Sequence, residues 1–249
     1  MKTLILFVGA IALAQAQKAF DTPEAAAQAL IGAAANNDTA QLAEIFGPQG
    51  KSLLTSGNPA QDKAEREQFA SIAKTKHELQ KDSMNSDRMI LSIGSEDWPY
   101  PVPLVRANGK WSFDSSMGEM SMKARRIGGN ELDAIEVCSG FVGTQEEYAK
   151  QHGMHYASNV QGLGSMVPKE FTEATGSHPK PYHGYYYAVL KAQDGFALVA
   201  WPSDYGVSGV HTFIVSRDGV VYEKDMGQPH KIAPPVTRFD PDKTWAPVN

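Results

Sequence analysis

PYHGYYYAVL (residues 181–190), FALVAW (196–201), HTFIVS (211–216) and VVYEKD (220–225) are four apolar runs, each stopped by Gly, Pro, Asp or Asn. β-Branched and aromatic residues suit a pleated surface, and Asp194-Gly195 and Asp218-Gly219 offer the positive φ of two-residue hairpin turns. The runs therefore predict an antiparallel sheet. Along the first of them, Tyr185 and Tyr187 point to one face and Tyr186 to the other. Just upstream, Asn130 is a helix cap, with Glu131 and Asp133 well placed in the first turn of a helix running to about His152. Leu132, Ile135, Val137 or Cys138, Phe141, Val142 and Tyr148 mark its buried stripe. Such a helix needs the sheet to cover its apolar face, so residues 130–249 read as one folding unit.

The N-terminal half changes period once. Asp21-Thr22-Pro23-Glu24 is a helix start, continued by Ala25 to Ala35. The chain breaks at Asn36-Asn37 and restarts at Asp38-Thr39 into a short helix whose Leu42, Ile45 and Phe46 share a face. A third helix is expected from Asp62 to Gln80, with Phe69, Ile72, Ala73 and Leu79 in a charged field. After Asp87 the period becomes 2: RMILSIG, PVPLVRA and KWSFD are strand-like, and Asn108-Gly109 is a strong hairpin signal. Helices ahead of a curling antiparallel sheet make residues 17–114 a small α+β domain, similar in element order to the cone-shaped NTF2-like superfamily. Such cones enclose a pocket or fill it with side chains. Residues 115–129 (SSMGEMSMKARRIGG) have no sustained period and read as a linker. The expected fold class is α+β: N-terminal helices with a small antiparallel sheet, then a long helix packed on a C-terminal antiparallel sheet. The proline-rich tail is expected to run over the surface as extended chain, pinned by Phe239 and Trp245.

Composition and the N-terminus bound the function class. Lys2, the apolar run Leu4 to Leu13 and Ala14-Gln15-Ala16 read as a signal peptide cleaved after Ala16, which implies a periplasmic or extracellular product. The run is too short to span a hydrocarbon core of about 30 Å as a helix, which takes roughly 20 residues. An integral membrane protein is therefore not expected. The chain of 249 residues is 42% hydrophobic and carries a formal net charge of -5, enough for real cores and contrary to nucleic-acid binding, which requires a concentrated basic face. A single cysteine, Cys138, excludes an intrachain disulfide.

RRIGGNELDAIEVCSGFVGTQEEYA, PYHGYYYAVL, GFALVAWPSDYGVSGVHTFIVSRDGVVYEKDMG and TRFDPDKTW resemble, in order, the matching blocks of the bacterial DUF2950 family. The likeness runs from about Phe20 to Trp245. The chain departs from the commoner pattern between Tyr156 and Pro181 and again at Gln193-Asp194-Gly195, where family members are longer. The resemblance implies export and fold, and it supplies no catalytic residues.

Candidate sites then rest on chemistry. Cys138 sits two turns into its helix beside the apolar stripe, the setting of an inert buried thiol. Gly162-Leu163-Gly164-Ser165-Met166 is a loop and not a nucleophile elbow, and Gly206-Val207-Ser208-Gly209 lacks a phosphate-loop ending. His152, His155, His178 and His183 cluster in sequence, but zinc needs three or four ligands and Gly153 interrupts the first pair. Met117, Met120 and Met122 are either thioether ligands for copper(I) or gap-fillers. Asp218 belongs to its turn, so it makes no catalytic pair with Asp204. The aromatic cluster is the best binding candidate: Tyr182, His183, Tyr186, Trp201, Asp204 and Tyr205 together suit a glycan or a peptide. No cofactor or metal is implied. The expected function is a non-catalytic binding or envelope component, monomeric or weakly oligomeric. The alternatives are a hydrolase with its site near the Tyr182-His183 loop, and a pilin-like subunit, which lacks the Gly-x-x-x-x-Glu processing signal.

Overall fold

The computed structural model describes residues 17–55, 59–175, 178–193, 195–227 and 233–248. The expected signal peptide, residues 1–16, lies outside them. The chain divides into two units whose boundary falls between Met122 and Lys123.

In the first unit, side-chain caps start two of the helices. Thr22 accepts from the Ala25 amide at 3.1 Å ahead of α1 (Pro23–Ala35), and Asp38 from the Gln41 amide at 2.9 Å ahead of α2 (Thr39–Phe46). A 3-10 turn over Pro48–Leu53 leads to α3 (Pro59–Thr75). The sheet contains β1 (His77–Lys81), β2 (Arg88–Ile93), β3 (Trp98–Pro99), β4 (Leu104–Ala107) and β5 (Lys110–Phe113), in the order β1-β2-β4-β5 with β3 also on β2. Asn108 and Gly109, at φ of 52° and 76°, close β4 onto β5 as a two-residue turn. Leu30, Ile45, Phe46, Leu91, Leu104 and Phe113 fill the core between helices and sheet.

The third helix ends at Thr75, not at Gln80. His77–Lys81 instead pairs with β2 along its whole length, from His77 opposite Ile93 to Lys81 opposite Met89. HELQK is a helix-forming composition, and a neighbouring strand overrides it.

The boundary between the two units falls within residues 115–129, the expected linker. These residues are helical, the opening turns of α4 (Ser115–Gln151), which begins in the first unit and ends in the second. Asp114 caps it by accepting from the Met117 amide at 3.0 Å. Gly118 allows close approach, since a Cβ there would lie 2.6 Å from Val102. The helix expected from Asn130 is thus the second half of a longer one.

In the second unit, β6 (Tyr185–Leu190), β7 (Ala197–Pro202), β8 (His211–Ser216), β9 (Val221–Asp225) and β10 (Ala246–Pro247) form an antiparallel sheet in the order β10-β9-β8-β7-β6. Tyr185, Tyr187, Leu198, Ala200, Phe213 and Val215 face α4, which contributes Ala134, Cys138 and Phe141. Leu132, expected in the buried stripe, is 69% exposed; the line of contact runs through Ala134, Cys138, Phe141, Gln145 and Ala149. Buried Gln145 on this line is satisfied by a reciprocal pair of 2.9 Å bonds with the Ala157 backbone.

The opposite face carries Ala188, Leu190, Val199, Trp201 and Ile214, with Trp245 packed against it. The tail does more than run over the surface, because β10 pairs with β9 and Phe239 lies edge-on to Tyr222. Asp218-Gly219 is not a two-residue turn. It lies within a longer connection in which Gly219 alone has positive φ, at 79°, and Asp218 accepts from Ser216 Oγ and the Val220 amide. Asp194 lies outside the described residues. No helix among the described residues is long and apolar enough to cross a membrane.

Candidate functional site

One flank of α4 borders a gap beside the sheet, with Phe141 shared between this flank and the line of contact. Asp133, Glu136, Val137, Gly140, Phe141 and Thr144 recur at helical spacing and therefore share a face. Met166, Val167, Pro168 and Phe171 form the facing wall, and Tyr182 and His183 close one end. The half-open cleft between them holds about 390 Å³. Gly140 helps to make the space, because a Cβ there would meet nothing within 4 Å. Phe171 is fixed edge-on to Tyr187, with ring centres 5.0 Å apart.

The closed end is a hairpin turn with an unusual residue in it. Tyr182 and Tyr185 exchange backbone bonds of 2.8 and 3.0 Å, with His183 and Gly184 between them at φ of 48° and 75°. This is the I′ geometry, normally taken by Asn-Gly; a side chain in the left-handed region costs about 1–2 kcal/mol. Asp133 holds the histidine, its Oδ2 lying 2.9 Å from His183 Nδ1. Gly184 is required twice over, since a Cβ would lie 2.4 Å from Asn130 Nδ2. The same stretch of α4 ties down the sheet elsewhere: Asn130 donates to Ser208 O at 2.8 Å, and Glu131 accepts from the Val210 and His211 amides at 2.9 and 3.0 Å.

The cleft carries two carboxylates, Asp133 and Glu136, in a lining that is otherwise largely apolar. Glu136 lies one turn from Asp133 and has no hydrogen-bond or ion-pair partner among the described residues. Neither lysine nor arginine is among the lining residues. Behind the cleft, Tyr187 is fully buried and its hydroxyl has no partner among the described residues. Burial raises the Tyr185 and Tyr187 hydroxyls above the ordinary tyrosine range and pushes the Cys138 thiol up to about 12. A thiol held protonated in this way is a poor nucleophile.

The six residues expected to form an aromatic site do not meet. Tyr182 and His183 line the cleft. Tyr186 lies on the opposite face of the sheet, 5.8 Å from the ring of Trp201, and Trp201 has no exposed surface to offer a ligand. The Asp204 carbonyl accepts from the Val207 and Ser208 amides in a tight turn, while Tyr205 donates to both Asp225 oxygens at 3.0 and 3.1 Å. The residues that complete the cleft, Asp133, Glu136, Gly140 and Phe171, were passed over in the sequence. Only the helical spacing of the first three was there to be read.

The other candidates resolve by geometry. His152 stacks on Tyr148 at 3.8 Å, and Gly153, at φ of 65°, ends the helix before His155. Among the described residues no group of three His, Cys, Asp or Glu side chains is placed to hold a metal ion. Met117 and Met120 share a face of α4, whereas Met122 lies roughly 140–160° round the helix from both. The three thioethers therefore do not converge on one ion.

These features define an α+β protein with a cleft between a long helix and an irregular wall. The chain belongs to a family described as "Protein of unknown function (DUF2950)", whose model matches residues 17–165 and 193–248. Met166–Ala192, between the matched stretches, contains the cleft's second wall and its closed end. No curated protein and no solved structure matches the chain significantly.

Proposed function

We propose that this protein is an exported, non-catalytic binding protein that takes its ligand in the cleft along α4. One observation carries the reading: a half-open space of about 390 Å³ with a largely apolar lining and a few convergent polar groups. Ligand sites commonly have this size and mixed lining, in which apolar surface contributes affinity and a few polar groups fix orientation. The signal-like N-terminus and the acidic balance support a periplasmic or extracellular setting, monomeric or weakly oligomeric.

Gly140→Leu tests the site. Its side chain grows into open space, and replacing a mid-helix glycine raises stability by about 0.5–1 kcal/mol. In a thermal-shift screen of amphipathic amines, short peptides and glycans, the wild-type chain gains melting temperature with a subset of compounds. The leucine variant starts higher and gains nothing. Shifts of equal size in both proteins place the binding elsewhere and defeat the reading.

A second reading, a hydrolase, has one observation in its favour: His183 and Asp133 are arranged like an oriented general base. Of the cleft-lining residues only Thr144 and Tyr182 bring hydroxyls, and Thr144 donates its own to the Gly140 carbonyl at 3.0 Å. A base without a nucleophile beside it leaves water as the only attacking group. Turnover of ester or peptide substrates that disappears in His183→Ala would promote this reading over binding.

A further inference from the structure

We infer that the cleft takes a small amphipathic organic cation, its ammonium or guanidinium head held by Asp133 and Glu136 and its alkyl or aryl body lying on Val137, Phe141, Met166 and Phe171. The inference rests on the cleft being a binding site and adds the chemical class of ligand. Two carboxylates one helical turn apart present their charges to the same small volume. Asp133 is partly engaged by His183, whereas Glu136 has no partner among the described residues, so its hydrogen-bonding capacity is open to an incoming donor. An anion entering the cleft would meet both carboxylates without a lysine or arginine to offset them. Walls of low dielectric on either side strengthen that discrimination.

Aromatic geometry points the same way. Phe171 and Tyr182, with ring centres 5.5 Å apart, line the cleft, and Tyr182 packs edge-on to His183, the partner of Asp133. The faces of such rings are electronegative, which favours a cation and disfavours an anion. The largely apolar lining in turn argues against a heavily hydrated ligand. A free metal ion would leave Val137, Phe141 and Phe171 unused, and a polyhydroxylated sugar would bury its hydroxyls against them without partners. A head of one positive charge on an apolar body satisfies both halves.

Three soluble probes share a body and differ in the head: 2-phenylethylammonium, 2-phenylethanol and 3-phenylpropionate. Titration calorimetry on the full chain is expected to rank the ammonium about tenfold tighter than the alcohol, the worth of one charge-assisted hydrogen bond, with the carboxylate weakest. Glu136→Gln is expected to bring the ammonium near the alcohol and leave the alcohol unchanged. Glu136→Lys reverses the order of ammonium and carboxylate. Glu136 is exposed and unpartnered, so both variants keep the fold. Added salt gives a check without mutation, weakening the ammonium and not the alcohol. Equal binding of all three probes, lost together in Gly140→Leu, overturns the cation class and leaves the cleft a site. Failure of all three, or binding that survives Gly140→Leu, overturns both.

Discussion

The two faces of the C-terminal sheet are both buried, but by covers of different shape. On one side Val236, Phe239 and Trp245 of the tail pack against the sheet, and Trp201 and Val199 lose all contact with solvent. On the other side the cover is a rod. A helix about 10 Å across touches a twisted sheet along a line, here Ala134, Cys138 and Phe141, and its flank stands away. A second element must then close the gap, and residues 166–171 close it only in part. An extended chain conforms to a pleated surface and seals it, whereas a helix leaves space beside its contact line. In this protein the space lies beside the helix.

The comparison predicts unequal responses to substitution. The largest effect belongs to the sealed face: Trp201→Ala is expected to cost about 3–5 kcal/mol in urea unfolding, with ligand affinity at the cleft unchanged in native buffer. A cost below about 1 kcal/mol would mean that the tail does not pack as described.

Next in size is the alkaline limb of stability, set by the helix-facing side. Cys138, Tyr185 and Tyr187 all have folded pKa values above their unfolded ones, so their contribution is complete below the unfolded values and is lost as pH rises. For Cys138 the window opens near pH 8.5 and closes at about 12, at up to about 1.4 kcal/mol per pH unit. Cys138→Ala should delay the onset of the loss to about pH 10, where the tyrosines of the unfolded chain begin to ionise. A stability profile flat to pH 11 in the native chain contradicts the burial.

The smallest effect is that of Tyr187→Phe. It removes a hydroxyl that lacks a partner among the described residues, so stability should stay level or rise by up to about 1 kcal/mol. A loss of 2 kcal/mol or more would reveal a bond that the hydroxyl does make.

Much of the architecture was legible because it was written in short-range chemistry. Tyr185 and Tyr187 alternate with Tyr186 across the sheet as a period of 2 requires, Asn108-Gly109 closes a hairpin, and Thr22 and Asp38 cap their helices. Residues 115–129 escaped notice because that part of α4 is largely exposed and has no apolar stripe to betray it. Strand β1 escaped because Glu, Leu, Gln and Lys favour a helix until β2 lies alongside. Trp201 was placed on the correct strand, but its burial depends on a tail more than 30 residues away. The cleft was half visible: the spacing of Asp133, Glu136 and Gly140 lies in the sequence, whereas the standoff from the sheet and the wall from Met166 to Phe171 arise only in three dimensions.

The most direct test is chemical-shift mapping of the isotope-labelled chain during titration with 2-phenylethylammonium. The largest perturbations are expected on the amides from Glu136 to Thr144 and from Met166 to Phe171, with His183 following. Perturbations centred on Tyr186, Asp204 and Tyr205, with α4 silent, would contradict it.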